Sequence, residues 1–233
     1  MKVIEKATRG REPWKAFQVR QRNTEIKRDA VLQTAAQLFL EAGYRRTSMR
    51  ELAARLKITK PALYYYFRNK EEILVECYRA GIASIEGLLD VAVVSDSDGL
   101  TKVQALVKAY ATAIVTFDFG RCVATLDDSE LSAKTRHEVR ALKRRIDSSI
   151  RQYIDEGIAD GSISACNAKL ASFAIAGAIN WIGVWYKPDG ALGASEISSE
   201  FARLLTRGLA RGDAETSQLT ARAFEARRTR ARK

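Results

Sequence analysis

The chain reads as all-α, a short N-terminal helical part followed by a longer helical part, on three observations. Apolar residues recur at three- and four-residue spacing along most of the 233 residues. Strand-like alternation over a useful length is absent. Only three prolines occur, Pro13, Pro61 and Pro188, so few stretches are barred from helix.

The first helix is expected over Thr24–Ala42, with Leu32, Ala35, Ala36 and Phe39 on one face and Gly43 as its stop. A second starts at Thr47-Ser48, where Ser48 and Glu51 have capping-box spacing, and runs to Leu56. A short third covers Lys60–Tyr66, with Thr59 as N-cap and Pro61 in the tolerated first turn. Asn69 or Lys70 opens a longer helix reaching about Ala92, and Ser95–Gly99 is a loop. Further helices are expected at about 101–117, 121–131, 134–159, 165–187 and 195–210. Asp160-Gly161-Ser162 and Pro188-Asp189-Gly190 separate the last three. The organisation that follows is a basic arm at 1–23, a small domain at 24–70, a larger one at 71–210, and a basic, Arg/Ala-rich disordered tail at 211–233.

Composition excludes several classes of function. Three scattered cysteines without a CxxC spacing argue against a disulfide framework and a structural zinc site. The single histidine, His137, rules out a His-rich metal centre, and the absence of GxSxG leaves a Ser-His-Asp triad without its usual nucleophile. No run approaches the ~18 apolar residues of a membrane span, and the charged N-terminus lacks a signal-peptide core. The expectation is a cytoplasmic protein without metal, cofactor or membrane partner.

The net charge of +11 is unevenly placed. Residues 1–24 carry seven basic against two acidic side chains, and residues 25–78 ten against seven. Residues 79–210 carry fifteen against sixteen, and residues 211–233 seven against three. The excess at the N-terminal end suits a polyanion, because phosphate neutralisation rewards local positive charge; flexible basic tails on a solvated surface would give the same balance.

The segment from Thr47 to Phe67 is where charge acquires a geometry. Two short helices joined by Lys57-Ile58-Thr59 make a helix-turn-helix, whose second helix is small enough to enter a major groove. Leu52, Ala53, Leu56, Leu63 and Phe67 would face inward, leaving Thr59, Lys60, Ala62, Tyr64 and Tyr65 to face DNA. Lys60 suits guanine or phosphate, and the tyrosines can donate to phosphate. Three consecutive rings cannot share one buried helix face, so at most one of Tyr64, Tyr65 and Tyr66 belongs to the core.

Gly43-Tyr44, Thr47-Ser48-Met49, Ile58-Thr59-Lys60, Leu63-Tyr64, Phe67 and Lys70-Glu71-Glu72-Ile73-Leu74 together resemble the N-terminal domain of TetR-family transcriptional regulators, over about residues 25–75. The resemblance implies a homodimer whose two recognition helices read a palindromic operator in double-stranded DNA. It implies DNA contacts at Thr47, Ser48, Thr59, Lys60, Tyr64, Tyr65 and Lys70, to which the reading of the residues adds Ala62. Lys57 stands where the family often has Gly, Pro61 and Ala62 where small polar residues are frequent, and Tyr66 where His is common. These departures bear on the operator sequence rather than on the docking mode.

In the second part, the helix ending Gly177-Ala178-Ile179-Asn180-Trp181-Ile182-Gly183-Val184-Trp185 is apolar on nearly every side, so it must be covered on more than one face. Its small residues would admit a dimer partner while its aromatic residues face the interior. Ile197, Phe201, Leu204 and Leu205 form a stripe suited to a four-helix dimer seam. The stretch from Asn180-Trp181 to Pro188-Asp189-Gly190 is similar to the C-terminal domains of TetR-family members controlling fatty-acid or steroid catabolism, which implies an acyl-CoA effector. The candidate effector residues are Tyr110, Phe117, Phe119, Asn180, Trp181 and Trp185, with Arg121 at the mouth for the CoA phosphates. On the helix at 134–159, Arg140, Lys143, Arg144 and Arg145 form a basic cluster, either a solvated face or a further phosphate site, and His137 is expected in solvent. In this reading a bound effector displaces the helix from Lys70 and breaks the register of the two recognition helices with the DNA.

The leading function is a ligand-responsive DNA-binding repressor and not an enzyme. A constitutive architectural DNA-binding protein and an acyl-CoA-handling enzyme are the alternatives; no nucleophile–base pair supports the latter.

Overall fold

The computed structural model describes residues 13–92, 96–129 and 131–211, with side chains from residue 24 onward. Within them lie nine α-helices: α1 (Pro13–Ala42), α2 (Met49–Arg55), α3 (Lys60–Tyr64), α4 (Lys70–Ala92), α5 (Gly99–Thr116), α6 (Asp118–Thr125), α7 (Ala133–Asp160), α8 (Ala168–Trp185) and α9 (Ala194–Arg207). No strand occurs among the described residues beyond one antiparallel bridge, Ile163 to Ala210. The all-α reading holds. Two compact units divide between Ile73 and Leu74.

The first unit is assembled by local signals. α1 ends at Gly43, whose φ of +86° is the left-handed geometry that glycine adopts at least cost. Ser48 and Glu51 close a reciprocal capping box on α2, and Thr59 accepts the Ala62 N–H at the start of α3. Lys57, in the turn, has φ +54°, a conformation that costs an L-residue roughly 1–2 kcal/mol. The core beneath comes from Val31, Leu32, Ala35, Ala36 and Phe39 of α1, Leu52 and Ala53 of α2, and Leu63 and Phe67.

α1 departs from expectation by starting at Pro13, not Thr24. Residues 15–23 lack apolar periodicity, which hid them. They also contain no Gly or Pro, so nothing interrupts a helix begun at the N-terminal proline. The basic arm expected over 1–23 is thus helical from Pro13; its remainder, 1–12, and the tail from 212 lie outside the described residues.

The second unit packs α5 against α6, α7, α8 and α9. Its core takes Tyr78, Ile82 and Ile85 from α4, Leu106 and Ile114 from α5, Ile146, Ile150 and Ile154 from α7, and Ile175, Ile179 and Ile182 from α8. α6 begins three residues before its expected start because Phe117, in extended conformation, ends α5 and turns the chain directly into Asp118. α5 starts against the last turns of α7. A Cβ on Gly99 would lie 2.1 Å from the Gly157 nitrogen, so only glycine fits there.

Two expectations for the last helices are corrected. Of the small residues of α8, Gly183 faces α6 within the same chain, where a Cβ would come 2.7 Å from Thr125 Cγ2, while Gly177 is exposed. Trp181 and Trp185 lie instead on the exposed face. On α9 the inward residues are Ile197, Ser198, Ala202 and Thr206, so Ile197 belongs to the chain's own core and Leu204 alone of the expected stripe is largely exposed. The cause is shared. Both helices are covered on one face by this chain, which claims the residues that a helix read in isolation would offer to a partner. α8 also has the length and mean apolarity of a membrane-crossing helix.

Candidate DNA interface and effector cavity

The α2–turn–α3 segment presents its polar groups outward from two buried anchors, Leu63 and Phe67. Ser48, Thr59, Lys60, Ala62, Tyr64 and Tyr65 are all exposed. Tyr65 is 74% accessible, and the Lys60 ammonium lies 5.7 Å from the centre of the Tyr64 ring. Tyr66 is the half-buried member of the tyrosine run and meets Tyr65 edge-on at 5.1 Å. Ser48 is exposed while its hydroxyl accepts from the Glu51 N–H at 3.2 Å, so cap and surface roles coincide in one group.

Two of the eight expected contact residues are turned inward. Thr47 is 3% accessible, and its hydroxyl donates to the Gly43 carbonyl at 3.0 Å. Lys70 donates from Nζ to the carbonyls of Tyr44 at 2.7 Å and Thr47 at 2.9 Å, with Arg45 farther at 3.4 Å. The same ammonium sits 4.1 Å from the centre of the Tyr44 ring. These carbonyls follow the end of α1, where backbone acceptors lack intrahelical partners, and a cation satisfies them. Lys70 therefore holds the α1–α2 connection in place. Sequence reasoning passed over Arg45, Arg46 and Arg50, all exposed around Ser48; the net positive charge of residues 25–78 was their only signal.

In the second unit a cavity of about 330 Å³ opens among α5, α6, α7 and α8. Val123, Ile146, Phe173 and Ala176 give it apolar walls. Tyr110 and Asn180 enter it from opposite helices, the tyrosine hydroxyl donating to Asn180 Oδ1 at 2.5 Å. Burial pushes the Tyr110 phenol well above its ordinary pKa, so the hydroxyl stays a donor at any physiological pH. Arg140, Lys143 and Arg144 of α7 line the same space together with Asp147.

The charges there are not equivalent. Arg140 is paired with Asp128, and Asp147 with Arg151 and with the Ser172 hydroxyl. Lys143 has its pKa lowered, chiefly by desolvation, against the pull of Asp128 and Asp127, and lies 5.0 Å from the centre of the Tyr78 ring. Arg145, the fourth member of the basic cluster, pairs with Glu86 at 2.7 Å and stands off the cavity. His137 is exposed.

Of the seven residues expected to meet an effector, Tyr110 and Asn180 line this cavity and the other five do not. Phe117 and Trp185 are partly exposed, Phe119 and Arg121 half-buried, and Trp181 is 63% accessible. Trp185 stacks on Phe201 of α9 at 6.3 Å. The Arg121 Nε is buried without a hydrogen-bond partner among the described residues. Phe173 was missed because one apolar ring in an apolar helix carries no distinguishing signal. The thiols of Cys77 and Cys122 are buried, and burial raises the Cys77 pKa to about 12, which leaves it unreactive.

A helix-turn-helix in one unit, with a second unit that is helical throughout, is the division found in two-domain DNA-binding regulators. Residues 31–77 match the family model of bacterial regulatory proteins, tetR family, and residues 96–209 that of the tetracyclin repressor-like C-terminal domain. The chain belongs to the TetR family of transcriptional regulators. It is 26% identical over 190 residues to the HTH-type transcriptional repressor KstR2 of Rhodococcus jostii, covering 79% of this chain and 91% of that one. The TetR-family regulator PfmR from Thermus thermophilus is 30% identical with a TM-score of 0.68, over 79% of this chain and 98% of that one. AibR, in complex with isovaleryl coenzyme A and operator DNA, is 25% identical with a TM-score of 0.69, over 77% and 97% of the two chains.

Proposed function

We propose that the protein is a transcriptional repressor that binds a palindromic operator as a homodimer and releases it on binding a small hydrophobic effector, an acyl-CoA thioester. Residues 24–70 read the DNA, and residues 71–210 hold the effector and dimerise. The protein acts in the cytoplasm. The observation that carries the effector reading is the cavity, whose apolar walls are flanked by Arg140, Lys143 and Arg144. With a volume of about 330 Å³ and apolar walls it has room for an acyl chain. The exposed Arg144 on its rim can meet the phosphates. AibR, bound to an acyl-CoA and to operator DNA, supports the same pairing of ligands.

Support for the dimer comes from α8. Leu170, Phe173, Gly177, Trp181 and Val184 follow one another at spacings of three, four, four and three residues on its exposed face. That is a seam that a second helix can cover, and a Cβ on Gly177 would meet nothing within 4 Å. Soluble monomers rarely leave so continuous an apolar strip in water.

DNA contact is assigned to Ser48, Thr59, Lys60, Ala62, Tyr64 and Tyr65, with Thr47 and Lys70 shaping the surface from beneath. The test is fluorescence anisotropy of the dimer on a labelled palindrome from the flanking genomic DNA, titrated with acyl-CoAs of several chain types. Release by one class at micromolar concentration, and a requirement for more of it in Lys143→Gln/Arg144→Gln, is expected. Release by an unesterified hydrophobic compound with no response to any acyl-CoA would leave the cavity as the site and remove coenzyme A from the reading.

A further inference from the structure

The cavity holds one uncharged polar pair, Tyr110 and Asn180, set among its apolar walls. Tyr110 is 4% accessible, and its hydroxyl proton is committed to Asn180 Oδ1. That bond fixes the orientation of the carboxamide. With Oδ1 engaged by the tyrosine, the opposite end of the amide is Nδ2, which carries two N–H donors and no acceptor and has no protein partner among the described residues. Ala176 and Asn180 are four residues apart and so share one face of α8, which places the amide next to the apolar wall that an acyl chain would occupy.

We infer that Asn180, aimed by Tyr110, donates to the thioester carbonyl of the effector and is the group that distinguishes an acyl thioester from a hydrocarbon of the same shape. This rests on the acyl-CoA reading above. The chemistry is complementary on three counts. A saturated acyl body is matched by Val123, Ile146, Phe173 and Ala176, while the phosphates are matched by the α7 cations. The polar atom bonded directly to the acyl body is the carbonyl oxygen, a pure acceptor, and Asn180 presents donors. A ligand without that oxygen would strip water from the amide and give nothing back, which is how buried polar groups reject analogues. The buried phenol of Tyr110 does not ionise in the physiological range, so it keeps the proton that it donates to Asn180 Oδ1.

The test compares butanoyl-, hexanoyl- and decanoyl-CoA with S-butyl-, S-hexyl- and S-decyl-CoA, thioethers that lack only the carbonyl, by isothermal titration calorimetry on the full chain. Wild type is expected to bind its preferred thioester at least tenfold more tightly than the matching thioether. In Asn180→Leu the ratio falls to about one, by loss of thioester affinity together with a gain in thioether affinity as the cost of desolvating the amide disappears. Tyr110→Phe, which keeps the ring in the core but frees the amide, lowers the ratio part of the way; melting curves establish that both variants fold. Equal wild-type affinity for thioester and thioether would overturn the inference and leave the acyl-CoA reading standing. A wild-type preference that survives in both variants would assign the carbonyl to another group and also overturn it. Binding of neither series would overturn the acyl-CoA reading and this inference with it.

Discussion

The proposed DNA-facing surface and the proposed effector cavity are built in opposite ways. The surface comes from one continuous segment, residues 48–65, whose polar groups stand in water above two buried anchors, Leu63 and Phe67. The cavity is gathered from α5, α6, α7 and α8, and its central pair joins a buried Tyr110 to a half-buried Asn180. Groups already in water lose little when a partner leaves, so affinity on the first surface is a sum of modest, salt-sensitive contacts. Groups withdrawn from water penalise a wrong partner strongly, so the cavity is suited to discrimination.

The largest effect is expected at the seam beside the cavity. Phe173 lines the cavity and lies on the exposed strip of α8, 53% accessible, with Trp181 two turns along. Aromatic residues central to an interface commonly contribute about 2 kcal/mol or more. Trp181→Glu should therefore raise the dimer dissociation constant at least about thirtyfold while leaving the monomer folded. Sedimentation equilibrium checks this; an unchanged dimer would remove α8 from the interface.

Within the DNA surface, Lys60 and Lys70 make a matched pair of lysines with opposite expected roles. Lys60→Ala should cost about 1–3 kcal/mol of operator binding, relaxing selectivity if Lys60 reads a base and lowering the salt slope by about one if it neutralises a phosphate. Lys70→Met should lower folding stability by about 1–3 kcal/mol, because the Tyr44 and Thr47 carbonyls lose their donor. Its salt slope should match wild type. Binding measured from low to high salt, beside urea unfolding, separates the two; a reduced slope for Lys70→Met would return that residue to the phosphate backbone.

The smallest effect concerns the turn. Lys57 holds φ +54°, so Lys57→Gly removes a left-handed strain and adds chain entropy to the unfolded state. The net expectation is a gain of up to about 1 kcal/mol in stability, read from the thermal midpoint, with operator selectivity unchanged. A loss of stability would mean that the Lys57 side chain contributes contacts larger than the strain.

The same contrast decides what could be read from the residues alone. Ser48–Glu51, Thr59–Ala62 and Gly43 are short-range devices, each complete within four residues, and the helices they delimit were legible. Thr47 and Lys70 misled because their chemistry suits DNA equally well. What decides their role is that the carbonyls of Gly43, Tyr44 and Thr47, in the connection after α1, accept from these two side chains, a three-dimensional fact. In the second unit helical periodicity located α7 and α8, and the basic run at Arg140–Arg145 marked three residues that line the cavity. Periodicity could not say which face of α8 the chain itself covers. Trp181 and Trp185 were consequently assigned to the interior, when the inward face is Ile175, Ile179 and Ile182.

Release by an effector requires that effector and operator compete through the conformation of one dimer. Linkage requires any such coupling to be reciprocal: if the thioester weakens operator binding by some factor, the operator weakens thioester binding by the same factor. The most direct measurement is therefore the affinity of the preferred acyl-CoA for the free dimer and for the dimer saturated with operator, by calorimetry in one buffer. Weaker binding to the operator complex is expected, by the factor seen in the release titration. Equal affinity for the two forms would contradict it, since a ligand that binds both states alike shifts neither.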